Sequence, residues 1–237
     1  MICTMPRSGT VYHRYLLSTY DGLLKGASGI TPPVFGGNFN GTLGDDPLAV
    51  CHAVFPGFCE EYRGEHKALW ESLEFKLGYD NGSGVINLDP DRYWPSRNPD
   101  VRIVYIVRKQ ADQIASYWSH CQNHIDQAHR DAHALGLSEF ALRIGIPCYF
   151  KQKFTWDELA WRYAKQVMQL TYEGIMYERE RALRRILEHF GHKPDELAVK
   201  EAIRLTSQES LEAYERETGK SLVPDQIGDH QTHFRTA

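Results

Sequence analysis

The sequence has no apolar run near the roughly 18 residues that a membrane-spanning helix needs, and Met1 is not followed by a basic segment and an apolar stretch. It has no CxxC spacing. Its five cysteines, Cys3, Cys51, Cys59, Cys121 and Cys148, are odd in number and scattered, which favours free thiols in a reducing compartment over a disulfide framework or a zinc site. Excess positive charge is also missing: the formal net charge is −4, which argues against a general nucleic-acid binder and leaves room only for a local basic pocket. The spacing GxxxxGK[ST] does not occur, so a nucleoside triphosphatase loop is unsupported. No repeat, low-complexity segment or linker is visible. What remains, 237 residues with 42% hydrophobic and 24% charged, suits one cytoplasmic globular domain over 1–237 with a substantial core.

Ile2 to Met5 is a short apolar run entering Pro6-Arg7-Ser8-Gly9-Thr10, which predicts a buried strand and a tight turn. Tyr12, Tyr15, Leu16, Tyr20, Leu23 and Leu24 then recur at helical spacing, predicting a helix over Thr10–Leu24. Gly26–Asp46 is rich in loop formers, and Pro47–Phe55 predicts a second strand closed by Pro56-Gly57. Val101–Arg108 is the strongest strand signal, with β-branched residues and a Tyr between two arginines. A helix is expected from about Ala111 to Asn123, another from Thr155 with that residue as N-cap, a short strand near Met168, an amphipathic helix ending at Gly191, and a helix over Lys193–Leu205. Strands alternating with helices predict an α/β domain with a central, mostly parallel sheet flanked by helices.

A strand–turn–helix unit points unpaired backbone N–H groups at one place, and the helix dipole adds positive charge there. The turn after the first strand therefore predicts a phosphate-binding loop, with Arg7, Ser8 and Thr10 as further donors and Gly9 allowing close approach. Arg108, at the carboxyl end of the best strand, is placed for a second phosphate, with Asp112 and Ser116 on one face of the following helix. Each segment alone also reads as an ordinary helix start or a surface ion pair.

Together they resemble the sulfotransferase family that uses 3'-phosphoadenosine 5'-phosphosulfate. Pro6-Arg7-Ser8-Gly9-Thr10-Val11-Tyr12 resembles the family's first motif, and Arg108 with Asp112, Ser116 and Tyr117 its second. Tyr172-Glu173-Gly174-Ile175 with Phe190-Gly191, and Gly228-Asp229 with His233-Phe234, are similar to a third and a fourth in the same order. Two departures stand out: Val223-Pro224-Asp225 where the family has R-K-G, and Thr206-Ser207-Gln208 where it has T-S-F.

The resemblance implies that Arg7, Ser8, Gly9, Thr10 and Val11 surround the 5'-phosphate and sulfonate. Tyr12 then stands in place of a tryptophan that stacks on adenine, Arg108 and Ser116 meet the 3'-phosphate, and Tyr172 lies near the adenine, with Tyr177-Glu178 as a competing register. Lys220 or Arg235 would supply the missing cation at the 3' end. It further implies that Arg7 stabilises the leaving phosphate by charge, and that His52, in Val-Cys-His-Ala-Val-Phe-Pro-Gly, is the general base toward a hydroxyl or amine of a small-molecule acceptor. No metal, nucleic acid or membrane partner is implied, and a homo-oligomer stays open. His120, His124, His129 and His133 include i,i+4 pairs of zinc-chelating spacing, but no HExxH or convergent cysteine accompanies them. A kinase-like nucleotide-dependent transferase and a non-catalytic nucleotide-binding protein of the same fold are the alternatives.

Overall fold

A computed structural model describes residues 1–5, 7–33, 41–54, 85–87, 93–122, 127–220 and 222. Five strands, β1 (Ile2–Thr4), β4 (Val50–Val54), β5 (Val85–Asn87), β6 (Ile103–Val107) and β7 (Val167–Thr171), form a sheet in the order β5-β4-β1-β6-β7. Every pairing in it is parallel. Strands β2 (Gly41–Leu43) and β3 (Asp46–Leu48) form a separate antiparallel pair. The expected parallel α/β architecture is what the chain adopts.

The sheet separates two apolar layers because side chains alternate along each strand. Ile2, Val50, Val104, Ile106 and Leu170 face one layer, where they pack against helix α1 (Thr10–Leu24) and later helices. Cys3, Met5, Cys51, Ile103, Tyr105, Val107 and Val167 face the other, against Tyr149, Trp156 and Leu159. Those three belong to helix α5 (Ile146–Arg162). All five residues of β6 are buried, as a parallel strand covered on both faces requires.

Between β6 and β7 run α2 (Gln110–Cys121), α3 (Gln127–Ala134), α4 (Leu137–Phe140), a π-helical turn (Ala141–Gly145) and α5. After β7 come α6 (Tyr172–Tyr177), α7 (Arg179–His189), α8 (Glu196–Leu205) and α9 (Gln208–Thr218).

Three local expectations are corrected. Pro47–Phe55 is not one strand: Pro47 lies in the β2–β3 pair, and the central sheet begins at Val50, since proline cannot donate into a central ladder. Thr155 does not cap a helix; α5 starts directly after the π segment with Pro147 in its first turn, and Thr155 is buried within it. The helix expected from Lys193 begins at Glu196, where the Asp195 side chain accepts from Ala198 N–H at 2.8 Å. The expectations for Pro6, Phe55-Pro56-Gly57, Cys59, Asn123, His124, 223–225, 228–234 and Arg235 lie outside the described residues.

Candidate functional site

Chain connections run to one side of β1 for β4 and β5 and to the other for β6 and β7. The carboxyl ends of β1 and β6 therefore flank the point where the strand order reverses, which is where open α/β sheets bind ligands. Arg7–Thr10 leave the first end and Arg108 leaves the second.

The turn after β1 is built from unusual backbone. Arg7 has φ 65° and Gly9 φ 84°, and Ser8 N–H donates to Met5 O at 3.0 Å. A left-handed conformation costs a non-glycine residue about 1–2 kcal/mol, and such strain gathers at functional turns. At Gly9 a side chain is also excluded by space, because a Cβ would lie 3.0 Å from Tyr172 Cε2 and 3.3 Å from His13 Cε1. Helix α1 starts from Gly9 without a side-chain cap, leaving its first backbone donors for a ligand. Beside them the Ser8 hydroxyl is fully buried with no hydrogen-bond partner.

Parallel register aligns Cys3 with Cys51, which places Thr4 beside His52 on the α1 side of the sheet. His52 Nδ1 lies 2.9 Å from Thr4 O. A carbonyl only accepts, so Nδ1 carries the proton and Nε2 holds the free lone pair. Nε2 lies 3.3 Å from Thr10 Oγ1, and Thr10 Oγ1 lies 2.6 Å from Thr4 Oγ1. Burial, with the Arg14 and Arg7 charges adding to it, lowers the imidazole pKa to about 4, so His52 is neutral near pH 7.

A second buried histidine, His13, sits one turn into α1 with Nδ1 2.7 Å from Gly9 O. That carbonyl also accepts the His13 backbone N–H at 2.9 Å, and two bonds from one residue fix the Gly9–Thr10 peptide. Burial lowers its pKa to about 4 as well. His13, like Thr4, was missed in sequence; the i,i+4 relation of His13 to Gly9 is the signal that points to it.

At the β6 end, Arg108 Nη1 donates to Arg7 O at 2.8 Å, and its guanidinium lies 4.9 Å from the Tyr172 ring centroid, a cation–π distance. Its Nε is buried without a partner. The Tyr149 hydroxyl donates to Arg108 O at 3.0 Å, and Lys109 N–H donates to Glu173 Oε1 at 3.0 Å. Arg7 Nε–H reaches Ser116 Oγ at 3.3 Å. Arg7, Ser8, Gly9, Thr10, Arg108, Ser116, Tyr172 and His52 thus come together; Glu173, part of the third motif, joins them, and Tyr149 is an addition with no signature of its own.

Two predicted residues sit deeper. Tyr12 is buried within the α1 layer and edge-on to His13 at 5.2 Å, with its phenol pushed up to about 12, chiefly by burial. Val11 packs against the cluster of Tyr15, Leu211 and Leu222. Thr206 is buried and its neighbour Ser207 caps α9. Trp94 and Trp156 belong to the core.

Of the histidine series, His129 packs edge-on against Tyr117 at 6.3 Å and His133 stacks on Trp118 at 4.3 Å. Among the described residues no group of three or more His, Cys, Asp or Glu is placed to hold a metal, and no helix is long and apolar enough to cross a membrane.

No curated protein matches the chain. Among solved structures it is similar to mouse sulfotransferase SULT7A1 complexed with PAP, at 15% identity and TM-score 0.48 over 90% of this chain and 64% of that one. It is also similar to retinol dehydratase in complex with androsterone and inactive cofactor PAP, at 14% identity and TM-score 0.49 over 90% of this chain and 65% of that one. The chain spans less than two thirds of the length of either. Residues 91–236, more than half of the sequence and including Arg108, Ser116 and Tyr172, match the sulfotransferase domain family, and the chain belongs to that family.

Proposed function

We propose that this chain, as a single domain over 1–237, transfers a sulfonate from 3'-phosphoadenosine 5'-phosphosulfate to a hydroxyl or amine of a small-molecule acceptor in the cytoplasm. The observation that carries the reading is the strained turn at the β1 end, which aims uncapped α1 donors and the unpartnered, buried Ser8 hydroxyl at one place beside Arg7 and Arg108. A buried polar group without a partner is destabilising, and the donor's two phosphates would satisfy both, the 5' at Ser8 Oγ and the 3' at Arg108 Nε. The family match begins at residue 91, so the assignment of this turn rests on its geometry.

The donor supplies an activated sulfonate joined to its 5'-phosphate. Arg7, Ser8, Gly9, Thr10 and the Val11 backbone N–H hold that end, Tyr172 flanks the adenine side with the buried Tyr12 in the cluster it packs against, and Arg108 with Ser116 meets the 3'-phosphate. His52 Nε2 takes the proton of the acceptor O–H or N–H. The acceptor atom bonds to sulfur as the sulfur–oxygen bond to the phosphate breaks, and that oxygen leaves with the bisphosphate. Arg7 stabilises the departing charge through its guanidinium, which keeps its own proton. Catalysis on this plan is positioning and electrostatics, as in phosphoryl transfer.

A thermal-shift series tests the donor. 3'-Phosphoadenosine 5'-phosphate (PAP) is expected to raise Tm more than its 5'-only counterpart or ATP at equal concentration. Equal shifts, or none with PAP, overturn the donor assignment.

A further inference from the structure

The His52 lone pair that the proposed reaction needs is already engaged. We infer that the Thr10 hydroxyl is a two-position contact, bonded to His52 in the donor-free protein and to the donor's 5'-phosphate in the complex, so that donor binding releases the base. This rests on the donor reading above and adds an order to it: phosphosulfate donor first, acceptor second.

Burial selects between two proton arrangements: were Thr10 to donate to Thr4 Oγ1, and Thr4 to Cys51 O at 3.4 Å, the buried Nε2 lone pair would be left without a donor. His52 Nδ1–H donates to Thr4 O at 2.9 Å, so Nε2 accepts. Its partner is Thr10 Oγ1 at 3.3 Å, which must be the donor of that bond. A hydroxyl has one proton, so the 2.6 Å contact between Thr10 and Thr4 is donated by Thr4. Thr10 therefore accepts from Thr4 and donates to His52. It is also the first residue of α1, beside the uncapped donors that face the proposed phosphate.

A phosphate there competes for the same proton. Charge-assisted bonds to an anionic oxygen are roughly twice as strong as neutral ones, and 3.3 Å is at the long edge of a hydrogen bond. The exchange favours the phosphate. The bond from Nδ1 to Thr4 O stays in place, so the imidazole keeps its tautomer and orientation while Nε2 becomes available. Thr4, on β1 beside His52 in the register, is the positioning residue: by donating to Thr10 Oγ1 it leaves the Thr10 proton to His52 or to the phosphate.

The experiment is nitrogen-15 NMR of the imidazoles with PAP as probe, assigned through His52→Gln, with PAP affinity measured by calorimetry on the same samples. Wild type is expected to show the His52 Nε2 resonance move toward the value of an unbonded acceptor nitrogen when PAP is added. Thr10→Val, which keeps the branched shape and removes the hydroxyl, is expected to show that value before PAP is added. Thr10→Ser is expected to restore the wild-type response and guards against a folding defect in the valine variant. PAP binding with an unmoved His52 resonance overturns the two-position contact alone. Failure of PAP to bind wild type overturns the donor reading, and the ordering with it.

Discussion

The ends of β1 and β6 lie side by side in the sheet, yet they are held in opposite ways. The β1 end is shaped by its own backbone: two left-handed residues, a peptide pinned by His13, and the Thr4 and Thr10 hydroxyls bonded to each other across the turn. The β6 end is an ordinary extended exit whose arginine is steered from outside, by Tyr149 of α5, Glu173 and Tyr172 of α6, and the Arg7 carbonyl. Residue type is therefore dictated strictly at the first end, while the second is a web of contacts in which one loss leaves others standing.

Substitutions at the two ends break that contrast in a graded order. His52→Ala removes the base and is expected to lower turnover roughly 10²–10⁴-fold without weakening PAP binding; turnover close to wild type in a sulfonate-transfer assay places the base elsewhere. Gly9→Ala puts a Cβ against Tyr172 at a left-handed position and is expected to lower unfolding free energy by about 2–3 kcal/mol in urea titration. A change within error of zero contradicts the packing at Gly9.

Acid tests the β1 end through its histidine. The folded pKa of His13 is lowered from 6.5 to about 4 by burial. Its contribution to stability is fully present above the unfolded value and is lost as pH falls from 6.5 toward 4. Between pH 7 and pH 5 this amounts to about 2 kcal/mol. The urea midpoint drops over that range, and His13→Gln removes about half of the drop, because His52, lowered to the same value, titrates over the same range.

The β6 end gives smaller numbers. Arg108→Ala is expected to weaken PAP about tenfold, or ~1.4 kcal/mol, by calorimetry, and unaltered affinity refutes its phosphate contact. Tyr149→Phe removes one bond to the Arg108 carbonyl and is expected to cost about 0.5–1.5 kcal/mol in stability, with only a slight change in PAP affinity. If Tyr149→Phe matches Arg108→Ala in its effect on PAP, the β6 end is as rigidly specified as the β1 end and the contrast fails.

Much of this was legible in the chain. The central strands β1 and β6 announce themselves by apolar runs, and α1 by its spacing, because burial on both faces or on one stripe writes directly into residue choice. The β2–β3 pair was hidden, since Pro47 to Phe55 reads as continuous apolar sequence and only pairing partners divide it. The start of α5 was hidden by the preceding π-helical turn, which carries no local stop signal. At the site, Arg7 through Thr10, Arg108, Ser116 and His52 were visible because they fall in strand-end segments that resemble the family's motifs, and Glu173 lay in a third such motif. Thr4, His13 and Tyr149 were not, because their roles depend on strand register and on contacts between distant elements. A single sequence records neither.

The central place of β1 also sets the order in which the molecule can assemble. Its two neighbours in the sheet come later in the chain: Thr4 waits for His52, 48 residues on, and Arg7 waits for Arg108, 101 residues on. Contacts of such separation are entropically costly to close and form slowly. During synthesis the turn after β1 therefore stays loose chain until β6 has emerged and docked, and the proposed donor site can form only from that point.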